Sequence, residues 1–146
     1  MLRIGVTGSG FMGRTHAEAA RRLPSTQLVA VAGGSRAAGL ADDYGVDWET
    51  DPAALLARPD IDAVVISTPH YCHLEEALLA AEHNKHALVE KPLTTSLADC
   101  DRLIESFEAG QLTLAVGYHQ RFRESNRVVG ELIQSGAIGT VRAIQM

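Results

Sequence analysis

Six residues near the start of the chain, Gly8-Ser9-Gly10-Phe11-Met12-Gly13, restrict what it can fold into more than any other feature. They match G-x-G-x-x-G. A short apolar run, Ile4-Gly5-Val6, precedes them, and a helical pattern follows. In that setting each glycine has a mechanical duty. The first makes a tight turn, the second lets backbone approach a pyrophosphate, and the third lets the helix pack closely on the strand. The helix start then turns free N–H groups and its positive dipole end toward the phosphates. Gly8, Ser9, Gly10, Phe11, Met12 and Gly13 are therefore read as a dinucleotide-binding turn.

The rest of the chain suits such a turn. Leu28–Ala32, Ile61–Ile66, Ala87–Val89 and Leu112–Val116 are further apolar runs without polar alternation. Runs of that kind mark strands buried on both faces, as in parallel sheets. Helical patterns lie between them. Met12, His16, Ala19, Ala20 and Leu23 share one face of a helix that stops before Pro24. Leu74, Ala77, Leu78 and Ala81 follow helical spacing, and so do Leu97, Cys100, Ile104 and Phe107, with Gly110 as a stop. Asp51-Pro52 reads as an N-cap and first helical residue. Alternating strands and helices predict an α/β fold, a Rossmann-type doubly wound parallel sheet. Glu124–Gln134 then carries Val128, Val129, Leu132 and Ile133 on one face, and Thr140–Gln145 alternates like a half-buried strand.

Composition narrows the function. The 146 residues are 46% apolar with a net charge of −5, enough for a packed core without disulfides. An acidic balance, with no basic run longer than Arg21-Arg22, argues against nucleic acid as a partner. No stretch approaches the ~20 apolar residues of a membrane span. The N-terminus reads as a buried strand rather than a signal peptide. Two cysteines cannot build a disulfide framework, so a reducing, cytoplasmic setting is expected.

Chemistry should gather at the carboxyl ends of the strands. After the second strand, versions of the turn that bind NAD place an acid for the ribose 2′-hydroxyl. Here the chain reads Gly33-Gly34-Ser35-Arg36. Ser35 and Arg36 suit the 2′-phosphate of NADP instead. Arg36 also fits a solvated first-turn helix residue, and Asp42 and Asp43 lie too far along to replace the acid. Ser67-Thr68-Pro69 follows the third long strand, with His70, Cys72 and His73 just beyond. That spacing is not a zinc pattern, and no metal site is expected. His73 is read as bonding backbone or ligand, and Cys100 as inert core. Glu90-Lys91-Pro92 ends the next strand. Lys91 is either a proton donor or acceptor in the cleft or a surface lysine paired with Glu90. Gly117-Tyr118-His119-Gln120-Arg121-Phe122 brings donors to the last strand end. His119 and Arg121 suit contacts to substrate or to nicotinamide.

At this point the chain resembles the N-terminal part of the glucose–fructose oxidoreductase / inositol dehydrogenase (Gfo/Idh/MocA) family. The likeness rests on Thr68-Pro69 with His73, on Lys85-His86-Ala87-Leu88-Val89-Glu90-Lys91-Pro92-Leu93, and on Gly117-Tyr118 with Arg121-Phe122. Gly136–Val141 looks like the entry to the family's second domain. The resemblance implies an NAD(P)-dependent oxidoreductase of sugars, polyols or related carbonyl compounds. Lys91 would match the lysine that contacts substrate and assists proton transfer. Thr68, Pro69, His73, Glu90 and Lys91 would line the cofactor cleft, and Arg121 would lie near the nicotinamide. The resemblance divides the chain into a cofactor domain, residues 1–122, and a linking helix and first strand, residues 123–146, of an α+β domain whose remainder is missing. That domain would carry the homo-oligomer interface and much of the substrate pocket. NADP is the expected cofactor and NAD the alternative. A nucleotide-binding regulatory or sensor module without catalysis is the competing function. Asn84 stands where the family commonly has Gly, and tolerates a left-handed helix end.

Overall fold

The computed structural model describes residues 1–145. Six parallel strands form one sheet in the order β3-β2-β1-β4-β5-β6. In chain order they are β1 (Leu2–Thr7), α1 (Phe11–Arg22), β2 (Thr26–Ala32), α2 (Ala37–Tyr44), β3 (Asp47–Glu49) and α3 (Pro52–Leu56). Then come β4 (Ala63–Ile66), α4 (His73–Glu82), β5 (His86–Val89), α5 (Leu97–Ala109), β6 (Leu114–Val116) and α6 (Glu124–Gln134). The chain winds outward to β3 on one side of β1 and to β6 on the other. The crevice between the ends of β1 and β4 is thus the switch point at which such sheets hold ligands.

The buried strands explain the apolar runs. Val64 and Ile66 of β4 face one layer, with Leu55, Leu56, Ala77, Ala80, Leu103 and Phe107 from α3, α4 and α5. Ala63 and Val65 face the other, with Ala17 and Ala20 of α1 and Leu40 and Ala41 of α2. Successive residues serve opposite layers, so both must be apolar. In β2 the register slips by one residue, because Ile4 pairs with Leu28 but Gly5 with Ala30. That bulge lets Leu28 and Val31 face the same layer although three positions apart.

Several local expectations are met. The Asp51 carboxylate accepts from Ala53 N–H at 3.0 Å, with Pro52 at the first helical position. Asn84 has φ of 55° after α4, and there Lys85 N–H donates to the Ala80 carbonyl at 2.9 Å.

Others need correction. Thr140–Gln145 is exposed and forms no strand, because no neighbouring strand takes its backbone groups. The apolar face of α6 is present, yet Val128, Val129, Leu132 and Ile133 are exposed. On α1 the buried positions are Gly13, Ala17 and Ala20, whereas Ala19 and Leu23 face solvent. On α5 they are Leu103 and Phe107, and Leu97 and Ile104 are exposed. α5 does stop at Gly110, as expected, and the left-handed residue follows at Gln111. The strand β3, Asp-Trp-Glu, carries no apolar run and was not foreseen.

Two contacts tie the fold together, one half-exposed and one buried. Arg3 grips Asp62 through backbone and guanidinium at 2.6–3.0 Å, and holds that carboxyl well below the usual carboxylate range. The Lys85 ammonium is buried and donates to the carbonyls of Arg58 (2.7 Å) and Ile61 (2.8 Å), closing the turn that leads into β4. Burial pulls its pKa below the ordinary lysine value.

Two predictions follow from this packing. Lys85→Met strands two buried carbonyls and should cost about 2 kcal/mol in denaturant unfolding. Because the native state releases the Lys85 proton before the unfolded chain does, the parent's advantage over this variant should grow as pH climbs toward 10.5. A gap that shrinks over that range would refute the assignment. A methyl group on Gly13 would lie 1.8 Å from the Gly8 carbonyl oxygen. Gly13→Ala should therefore destabilise by at least about 3 kcal/mol, read as a fall in the urea midpoint.

Candidate functional site

The carboxyl ends of β1, β2, β4, β5 and β6 all open on one edge of the sheet, and the ladder continues past them into the loops. Gly8 N–H donates to the Ala32 carbonyl, Ser67 N–H to Thr7, Glu90 N–H to Ile66 and Gly117 N–H to Val89, all at 2.8–2.9 Å. Each loop therefore leaves from a fixed point.

The Gly-rich turn is the tightest place in the molecule. Gly8 has φ of +89°, and a Cβ there would sit 2.5 Å from the Ser67 carbonyl oxygen. Gly13 lies against the Gly8 carbonyl, and Ser67 Oγ donates to Thr7 O at 2.6 Å. Gly34, also at positive φ, leaves room that Ser9 Oγ borders at 2.7 Å. The turn, the end of β2 and the end of β4 together enclose a cavity of about 420 Å³, lined by Gly8, Ser9, Gly10, Gly34, Ser35, Arg36, Ser67, Thr68 and Pro69. Gly10 caps α1 without any side-chain bond, so the first N–H groups of the helix have no intrahelical partner. Thr68 Oγ1 is buried and has no hydrogen-bond partner among the described residues. Bare N–H groups at a helix start, on a Gly-rich turn that lines the cavity, suit the pyrophosphate of a dinucleotide.

The remaining expected residues divide into struts and exposed groups. His73 is buried; its Nδ1 lies 2.8 Å from the Pro92 carbonyl and its Nε2 3.0 Å from that of Thr68. The ring thus bridges the loops after β4 and β5, and its nitrogens face backbone. Glu90 is also buried. Its Oε1 faces His16 Nε2 at 3.0 Å, and its Oε2 accepts from Lys91 N–H at 3.1 Å. Gly117 packs where a Cβ would be 3.0 Å from that carboxylate. Wedged in this way, Glu90 forms no ion pair with the Lys91 ammonium, whose side chain is exposed. Met12 is half-buried and Phe11 exposed on the first turn of α1. His119 and Arg121 are exposed on a short 3-10 turn, His119–Phe122, and Arg121 lies over the Phe122 ring at 5.9 Å. Lys91, His119 and Arg121 do not line the cavity.

Sequence reasoning missed three members of this site. Ser67 locks β4 to β1, and His16 links α1 to the end of β5. Glu76 of α4 takes the Thr7 hydroxyl at 2.6 Å beneath the turn, and burial raises its pKa. Ser67 stood at a strand end where chemistry was expected but had no role assigned, His16 read as part of an apolar face, and Glu76 gave no signal.

Comparison with known proteins agrees with this geometry. Residues 2–118 match the model of an oxidoreductase family with an NAD-binding Rossmann fold, Gfo/Idh/MocA. The chain is 31% identical over 148 residues to myo-inositol 2-dehydrogenase of Thermotoga maritima, covering 99% of this chain and 44% of that protein. It is 30% identical over 136 residues to 2,7-anhydro-N-acetylneuraminate hydratase of Mediterraneibacter gnavus, covering 93% and 36%. The crystal structure of scyllo-inositol dehydrogenase from Lactobacillus casei with bound NAD(H) and scyllo-inositol superposes with a TM-score of 0.88 at 26% identity, covering 95% of this chain and 42% of that one. The chain spans about two fifths of the length of these relatives. Among the described residues no helix is long and apolar enough to cross a membrane. With the family model matched across the whole of the sheet and its Gly-rich turn, the chain belongs to the Gfo/Idh/MocA oxidoreductase family.

Proposed function

We propose that this chain binds NADP in preference to NAD, and that the protein moves a hydride between nicotinamide and a hydroxyl- or carbonyl-bearing carbon of a sugar, polyol or related compound. One observation carries the cofactor choice. Where an acid would hold a ribose 2′-hydroxyl, β2 ends in Gly33-Gly34-Ser35-Arg36. The Arg36 guanidinium reaches back over the turn, with Nη2 4.0 Å from the Cβ position of Gly10, and it forms no ion pair among the described residues. An uncommitted cation beside the cavity suits a phosphate ester better than a neutral hydroxyl.

Gly8, Ser9, Gly10, Phe11, Met12 and Gly13 would hold the pyrophosphate, with Ser35 and Arg36 on the 2′-phosphate. Thr68 and Pro69 form the wall across the crevice, and His73 and Glu90 keep that wall and the Lys91 loop in place. Nicotinamide, when bound, supplies the hydride chemistry. Lys91, exposed at the end of β5 on a backbone that Glu90 holds, would give or take the hydroxyl proton. His119 and Arg121 flank the same strand ends and would contact substrate or nicotinamide. The inositol dehydrogenase relatives support a polyol-like substrate. A cytoplasmic location, supported by two free cysteines, and a homo-oligomeric whole protein belong to this reading.

Titration of the chain with NADPH and with NADH, followed by nicotinamide fluorescence, tests the cofactor choice. NADPH should bind at least tenfold more tightly, and Arg36→Ala should erase most of that margin. Equal binding of both by the parent would refute it. For chemistry, Lys91→Met in the catalytically active protein should lower kcat by about 100-fold or more, a far larger effect than any change in the cofactor Kd. Turnover retained in that variant would remove Lys91 from the mechanism.

A further inference from the structure

Beside the crevice lies a second, smaller cavity that shares part of the Gly-rich turn and Arg36 with the first and adds Arg14 and Leu40. It measures about 280 Å³ and is lined by Ser9, Gly10, Phe11, Arg14, Arg36 and Leu40. Ser9, Gly10 and Arg36 also line the larger cavity, so the two adjoin across the Gly-rich turn. Arg36 stands on the boundary. Arg14 comes up from α1, one turn beyond Gly10, and places a second guanidinium on the same small space.

Arg14 differs from Arg36 in being held. One of its Nη atoms donates to Asp43 of α2 at 2.5 Å, and this pair is half-exposed on both sides. Asp43 thereby restrains a long side chain that would otherwise lose rotamer freedom when a ligand arrives. Asp43, with the Tyr44 hydroxyl close by, engages part of a five-donor fork and leaves the remaining donors for another acceptor. The net charge on the cavity from Arg14, Arg36 and Asp43 is positive, and its walls are otherwise small, aromatic or aliphatic. Two guanidiniums converging on one space repel each other until an anion enters. A phosphate monoester, close to a dianion at neutral pH and with three acceptor oxygens, satisfies both.

We infer that Arg14 is a second specificity-determining residue, which together with Arg36 clasps a phosphate monoester on the adenosine ribose, with Asp43 orienting its fork. This inference rests on the NADP reading and extends it. Arg36 makes first contact at the boundary, and Arg14 closes the far side of the phosphate. A neutral 2′-hydroxyl offers no charge for a second guanidinium to pair with, so Arg14 should matter to the phosphorylated cofactor alone.

The test measures NADPH, NADH, 2′,5′-ADP and 5′-AMP binding to the parent chain, Arg14→Met and Arg14→Lys, each with a matched thermal melt. Expected is a loss of about tenfold in NADPH and 2′,5′-ADP affinity in Arg14→Met, with NADH and 5′-AMP within twofold of the parent. Arg14→Lys should fall between, since it keeps charge and loses the fork. The NADPH Kd should also lose part of its salt dependence in Arg14→Met. If both variants bind NADPH like the parent, or lose NADH as strongly as NADPH, the inference is overturned and Arg14 merely braces α1 against α2. If the parent shows no preference for NADPH, the NADP reading falls, and this inference with it. Loss of preference in Arg36→Ala but not in Arg14→Met overturns the inference while leaving that reading standing.

Discussion

Everything in this molecule depends on how closely α1 approaches the ends of β1 and β4. Gly13 has the Gly8 carbonyl where its side chain would be, and Gly8 has the Ser67 peptide in the same place. Three backbone segments thus meet with no side chain between them. The contact sets the angle at which α1 leaves the sheet. It turns the N–H groups of the helix start toward the crevice and brings the Ser67 hydroxyl within reach of β1. A helix dipole and a set of bare donors are useful to a pyrophosphate only when their position is fixed beforehand. Here it is fixed by sterics, which cost no side-chain entropy.

From this base the strand ends extend the site outward by a different device. Inter-strand hydrogen bonds continue one residue beyond each strand, so Gly8, Ser67, Glu90 and Gly117 start their loops in register with their neighbours. Buried polar struts then tie loop to loop. His73 joins the loops after β4 and β5, and His16 with Glu90 joins α1 to the end of β5. In a low-dielectric interior such groups are costly unless bonded, and each of these is bonded to a group in a different segment. Conversion of any one of them to an apolar residue would leave its partner stranded, which makes the network stiff.

How much of this was legible in the sequence follows from the range of each interaction. The Gly-rich turn, the Asp51-Pro52 cap and the left-handed Asn84 are local, and their residue types announce them. The long buried strands were legible because both of their faces are apolar. The edge strand β3 was not, because Asp-Trp-Glu lies at the sheet margin and needs no apolar face. Thr140–Gln145 alternates as well, but with no neighbouring strand to take its hydrogen bonds it forms no strand here. Helical spacing placed α1 and α5 correctly but rotated their buried faces by a residue or so. Small residues such as Gly13 and Ala17 seat α1 on the sheet, and they carry little weight in an apolar pattern. The struts made by Lys85, Glu90 and His16 were not legible, because their partners lie 24, 74 and 74 residues away. No local pattern encodes a contact of that range.

The two ends of the crevice are therefore built on different principles. At the phosphate end, glycines, helix N–H groups and ladder bonds form a surface that is complete in backbone alone, and substitutions there should act through fit. Toward β5 and β6 the scaffold is equally firm at Glu90 and Gly117, yet the groups it presents, Lys91, His119 and Arg121, are exposed. Their chemistry requires desolvation and orientation that the described residues do not supply on that side. On the proposed reading, cofactor discrimination at Arg36 and proton transfer at Lys91 would therefore be separable properties. A change at one end should leave the other unaltered, because the struts between them run through backbone carbonyls and a buried carboxylate rather than through the reacting groups themselves.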